Sequence, residues 1–223
     1  MFFKIEGLLS TDEVARIRAA LKDVKFADGR ATAGDAVRDV KDNLQAPAGE
    51  AGLDEARQLV GGALLRSEAF TQRVLPRQLM PTLFNRYDPG MQYGGHVDNA
   101  IMGGGQPLRA DVSVTVFLSE LGEYDGGALT INSDGEARQV RMPAGGAMVY
   151  DATTIHRVEP VTRGSRLAAV VWCQSFVRDQ ARREILQELA ELARWARGVA
   201  PGSQEAMKAS KVRANLMRMW AEL

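Results

Sequence analysis

From Pro76 to Phe176 the chain is a succession of short β-rich runs divided by Gly, Pro and Asp, with no helical pattern between them. The expected strands are Leu79 to Tyr87, Tyr93 to Asp98, Ala110 to Leu118, Ala128 to Asn132, Glu136 to Arg141, Ala147 to Tyr150 and Arg166 to Phe176. Asp125-Gly126-Gly127 reads as a turn, Ser133-Asp134-Gly135 as a hairpin, and Pro143-Ala144-Gly145-Gly146 as a further break. Strands at this spacing, without crossover helices, pair antiparallel and close into a sandwich or barrel rather than into βαβ units. The fold class that follows is mainly β with flanking helices (α+β), built on a jelly-roll-like core.

The flanks carry a different period. Phe2 to Leu9 suits a short strand. Ser10-Thr11-Asp12-Glu13 has capping-box spacing, and Val14, Ile17 and Leu21 continue as a helix stripe. Residues 27–50 lack a clear period and read as loop around an extended piece, Val37 to Leu44. Ala51 to Phe70 reads as a second helix, interrupted in propensity by Gly61-Gly62. Beyond Val177 two helical patterns, Arg178 to Arg197 and Gln204 to Leu223, are divided by Pro201-Gly202-Ser203. The expected organisation is a jelly-roll domain over residues 1–176, with its core at about 76–176, and a C-terminal helical pair over 177–223. The Met and Trp stripe of that pair suits core packing or a homo-oligomer contact.

Charge narrows the partners. Lys plus Arg (28) equal Asp plus Glu (28), which gives no basic excess for nucleic acid or an anionic membrane surface. Apolar stretches such as Leu167 to Cys173 are too short to span a bilayer. The start, Met1 to Glu6, lacks the pattern of a signal peptide. Cys173 is the single cysteine, so no internal disulfide forms, and a cytoplasmic location is expected.

Against this background the triplet His96-Val97-Asp98 stands out. On a strand, residues two apart share a face, so an imidazole and a carboxylate lie side by side. The chain's second and last histidine is His156. Two histidines and one carboxylate make a facial triad that suits non-haem Fe(II) and leaves the opposite side of the metal open. Arg166 opens the last strand of the core, and guanidinium binds carboxylate bidentately while keeping its charge when desolvated. It is the candidate anchor for the distal carboxylate of 2-oxoglutarate. If residues 166, 168 and 170 face the barrel interior, Ala168 leaves room beside that ligand. Two other readings use the same residues: an iron- or keto-acid-responsive binding module with little turnover, and a cupin-like enzyme with another metal.

The chain resembles the Fe(II)/2-oxoglutarate-dependent dioxygenases of the prolyl 4-hydroxylase type and, more narrowly, the PKHD-type hydroxylases linked with iron uptake. The resemblance is carried by Asn85-Arg86-Tyr87, Gly90 to Asn99, Tyr124 to Leu129, Pro143 to Gly146, Tyr150, His156 to Arg166 and Trp172. It extends nearly end to end, including the N-terminal helices and the tail. It implies a double-stranded β-helix, iron on His96, Asp98 and His156, and 2-oxoglutarate on Arg166. It implies dioxygen as co-substrate, release of succinate and carbon dioxide, and ascorbate as a reductant of the iron. Where related enzymes place a tyrosine against the keto acid, this chain has Phe117, so Tyr87, Tyr93 and Ser113 are the candidates for a second contact. Asn99 to Leu108, around Gly103-Gly104-Gly105, is the candidate substrate-closing loop. The motifs do not name the substrate.

Overall fold

The structure, a computed structural model, describes the chain except residues 33, 104–106 and 134 and the side chains of Asp35 and Ala36. Two antiparallel sheets make the jelly roll. Across the larger, the strands run Phe2–Ile5, Ala147–Asp151, Val112–Phe117, Arg166–Ser175, Leu83–Tyr87, Leu44–Gln45 and Ala27–Asp28, and Pro76–Leu79 also pairs with Arg166–Ser175. The smaller runs Glu136–Val140, Leu129–Ser133, His156–Val158, Gln92–His96 and Lys41–Asp42.

The alternation in Val112–Phe117 sorts two interiors rather than core from water, because all six residues are buried. Val112, Val114 and Val116 join a cluster with Ile17, Leu64 and Phe70 on the outer face of the larger sheet. Three helices supply that cover: α1 (Thr11–Leu21), α2 (Asp54–Arg66) and α3 (Glu68–Val74). The inner face turns Phe117, Met148 and Tyr150 towards Leu129, Ile131 and Val158 of the smaller sheet. Each such aliphatic or aromatic side chain stabilises the fold by about 1.5–3 kcal/mol on leaving water, so both interiors contribute.

The capping box forms as expected, with Glu13 N–H donating to Ser10 Oγ and Ser10 N–H to Glu13 Oε2. Elsewhere the expected segments subdivide. The 51–70 helix breaks at Ser67, which closes α2 and caps α3 by accepting from Phe70 N–H. Leu79 to Tyr87 is two strands, separated around Pro81, whose ring nitrogen cannot donate to the ladder. Asp125 and Gly126, read as part of a turn, instead lie in a short strand, Tyr124–Gly126, that pairs with Val161–Gly164 across an irregular register. Val37–Val40 belongs to a 3-10 helix, Asp35–Val40, and extended backbone begins only at Lys41. That helix lies flat on the Gln92–His96 strand because Gly94 has no side chain: a Cβ there would sit 2.8 Å from Val40 Cβ. The 133–135 hairpin joins paired strands as expected, with Asp134 itself outside the described residues.

At the C-terminus α4 (Gln180–Val199) and α5 (Gln204–Trp220) pack on the core. Leu186, Leu216, Met217 and Trp220 gather round Leu75, Phe176 and Val177. The buried Arg183 guanidinium donates to Asp151 Oδ1 at 2.7 Å and to the Val177 carbonyl at 2.9 Å. Arg109 and Glu222 add a second ion pair at 2.5 Å. No described helix is long and apolar enough to cross a membrane.

Candidate active site

Between the sheets lies a cavity of about 540 Å³, reached by residues of both. The strand pairing that matters is Gln92–His96 with His156–Val158, because it sets His96 and His156 directly opposite one another. Their ring centroids are 4.2 Å apart. Asp98 lies two residues past the end of its strand rather than on it, yet its carboxylate still comes within 3.9 Å of His156 Nε2. One ligand atom from each of His96, Asp98 and His156 falls within 4.8 Å of the others. The three residues singled out by pattern are thus brought together.

The surroundings orient each donor. His96 Nδ1 donates to the Gly94 carbonyl at 2.8 Å and His156 Nδ1 to the Thr154 carbonyl at 3.0 Å. A carbonyl can only accept, so both rings carry their proton on Nδ1 and present the Nε2 lone pair. Ser113 Oγ donates to Asp98 Oδ2 at 2.5 Å, holding the carboxylate that strand pairing does not reach. Tyr93 stacks on His96 with centroids 3.6 Å apart, and Tyr150 sets an edge against His156 at 4.9 Å. Burial, reinforced by His156, pulls the His96 pKa down to about 4, so its ring is neutral at physiological pH. Imidazole, imidazole and carboxylate, with two oriented lone pairs, are a donor set that fits Fe(II).

Arg166 is 1% exposed, and its Nε and Nη2 have no hydrogen-bond partner among the described residues. A buried charge without a counter-ion costs several kcal/mol unless a ligand completes it. The guanidinium lies over the rings of Tyr87 at 5.2 Å and Phe117 at 5.5 Å. Gly127, at φ +57°, makes way for it: a Cβ there would meet Arg166 Cδ at 3.0 Å. Arg166, Ala168, Val170 and Trp172 all line the cavity, which matches the expected shared face. A buried guanidinium without a partner and a His-Asp-His cluster able to hold a metal therefore open into one space.

The chain matches the family model described as the 2OG-Fe(II) oxygenase superfamily over residues 82–174. It is 43% identical to a PKHD-type hydroxylase of Xanthomonas euvesicatoria pv. vesicatoria, with all of each chain covered. The chain belongs to the PKHD-type hydroxylases. A PKHD-type hydroxylase of Paracoccus denitrificans is 42% identical over the same full coverage. A prolyl-4-hydroxylase of Pseudomonas putida has the same fold, with a TM-score of 0.55 at 22% identity, covering 78% of this chain and 92% of that one. This PKHD-type hydroxylase is accordingly an oxidoreductase of the 2-oxoglutarate- and iron-dependent class.

Of the three candidates for a second keto-acid contact, Tyr87 and Tyr93 line the cavity, and Ser113 is engaged with Asp98. Burial raises the pKa of Tyr87, opposed by Arg166, so its hydroxyl stays protonated. Pattern reading missed Lys41, Asn43 and Gln45 as cavity-lining residues: Lys41 and Asn43 fall in the extended piece expected over Val37 to Leu44, and the structure places Lys41 and Gln45 in two-residue strands with Asn43 between them. Only pairing to the rest of the sheet reveals those strands. Of the proposed closing loop, Gly104 and Gly105 lie outside the described residues, and its flanks Ile101–Met102 and Leu108–Arg109 pair with each other.

Proposed function

We propose that the chain holds Fe(II) on His96, Asp98 and His156, takes 2-oxoglutarate and dioxygen, and hydroxylates a C–H bond of a protein side chain or small molecule. The observation that carries this reading is the unpaired, buried Arg166 guanidinium sharing a cavity with the triad. Bound iron supplies the oxidising chemistry: 2-oxoglutarate, dioxygen and R–H become succinate, carbon dioxide and R–OH. The protein's part is placement. Arg166 grips the distal carboxylate through two parallel N–H donors, and the faces of Tyr87 and Phe117 keep water from it. Phe117 has no hydroxyl, so Tyr87 or Tyr93 is the proposed second donor to the keto acid. Ser113 acts one step back, as a positioning residue for Asp98.

A screen of candidate substrates for stimulated succinate formation tests the reading. Mass spectrometry should then show the gain of one oxygen atom in the responding compound. His96→Ala and Asp98→Ala are expected to abolish turnover, whereas Arg166→Met should raise the KM for 2-oxoglutarate. Turnover of His96→Ala at the wild-type rate contradicts the assignment. Ascorbate is the proposed reductant after uncoupled cycles, and the cytoplasm the proposed compartment, where iron uptake would be the process served. The exposed Trp195, Val199 and Met219 of the C-terminal pair are proposed to join copies of the chain, and mass measurement in solution tests that.

A further inference from the structure

Lys41 is 6% exposed and lines the cavity, yet the metal reading gives it no task. An ammonium group has three N–H donors. Among the described residues Lys41 Nζ has one hydrogen-bond partner, Thr32 Oγ1 at 2.9 Å, and no carboxylate within ion-pair distance. Its backbone is fixed, not loose: Lys41 is the cross-strand partner of Tyr93. Its Nζ sits 5.3 Å from the Tyr93 ring centroid, and that ring also stacks on His96. The amine is thus one aromatic ring removed from a metal ligand.

The charges of the site single it out. Among the described side chains the cavity is lined by three charged groups besides the histidines, namely Lys41, Asp98 and Arg166. A divalent metal and Arg166 are offset by Asp98 and a dianionic keto acid, which leaves Lys41 without a counter-ion in the loaded site. A buried cation left so is costly, and an anionic group on the remaining reactant relieves that cost. Burial pulls its pKa down to about 8 against the opposing charges of Asp28 and Asp98, so the group is still protonated at neutral pH.

Resting on the iron and 2-oxoglutarate reading, we propose that Lys41 binds a carboxylate of the primary substrate and so selects anionic substrates for hydroxylation. The carboxylate belongs either to a free small molecule or to an acidic side chain of a peptide. Enzyme loaded anaerobically with Fe(II) and 2-oxoglutarate tests this with two matched probe sets, read by calorimetry and by the visible absorption of the iron–keto acid chelate. One set is N-acetyl amino acids against their amides. The other is doubly capped pentapeptides with a central Glu against Gln. In at least one set the acid is expected to bind tenfold or more tightly than its neutral partner. Lys41→Met should shrink that ratio to within twofold, and Lys41→Arg should retain most of it. The set that responds names the source of the carboxylate. No acid preference in either set, or a preference that survives Lys41→Met, overturns the proposal. Failure of the chelate absorption to form in the wild type would instead sink the underlying metal reading. Far-ultraviolet circular dichroism confirms that each variant is folded.

Discussion

On the proposed iron reading, the Ser113 hydroxyl matters because it holds one of the three metal ligands, Asp98. Asp98 lies beyond its strand, so main-chain pairing does not fix it, and the 2.5 Å bond from Ser113 does. Groups that orient metal ligands are typically worth 10–100-fold in affinity. Ser113→Ala is therefore expected to weaken Fe(II) binding by about that factor in anaerobic calorimetry, and unchanged affinity would refute the role. Lys41 carries a stability signature of its own. Its folded pKa of about 8 lies below its ordinary value of 10.5, so between those values the unfolded chain holds a proton that the folded chain has lost. Stability from this group therefore rises with pH across that window, and its cost is fullest below pH 8. Lys41→Met is expected to raise the unfolding free energy at pH 7 and to lose that advantage towards pH 10.5, as measured by urea denaturation. An advantage that grows with pH would reverse the sign.

Among the elements, the helical pair at the C-terminus depends on one buried ion pair. Arg183 of α4 reaches Asp151 on the larger sheet, with both side chains nearly inaccessible. Asp151 also pairs with the Met1 amino group, so removing Arg183 leaves the carboxylate one cationic partner and costs about 1–3 kcal/mol, less than stranding a buried charge outright. Arg183→Met should lower the thermal midpoint accordingly, and a shift equivalent to less than about 1 kcal/mol would mean that the pair is dispensable. Neither partner was legible in the sequence, since nothing local joins residues 32 positions apart. What was legible had local causes. The Ser10 and Glu13 cap, the strand runs with Gly and Pro between them, and the two C-terminal helices all announce themselves within a few residues. Boundaries decided by tertiary pairing did not: Ser67 divides a continuous apolar stripe, and Lys41–Asp42 exists as a strand only because Gln92–His96 lies beside it.

For the whole molecule, the same separation explains why the centre of the site could be read and its wall could not. His96, Asp98, His156 and Arg166 carry rare chemistry at recognisable spacings, whereas Lys41, Asn43 and Gln45 reach the cavity through a segment with no period. The larger sheet joins both parts, its valine face against the helices and its inner face, which carries Arg166, against the reaction space. The central claim is that this space holds iron and 2-oxoglutarate together. Anaerobic titration of 2-oxoglutarate into Fe(II)-loaded protein, followed by the visible absorption of the chelate, measures it directly. The wild type should saturate with one equivalent, Arg166→Met should bind about 30-fold or more weakly, as the loss of a buried charge partner worth 2 kcal/mol or more requires, and His96→Ala should form no chelate. Equal affinities in the wild type and Arg166→Met, or a chelate that persists in His96→Ala, would contradict it.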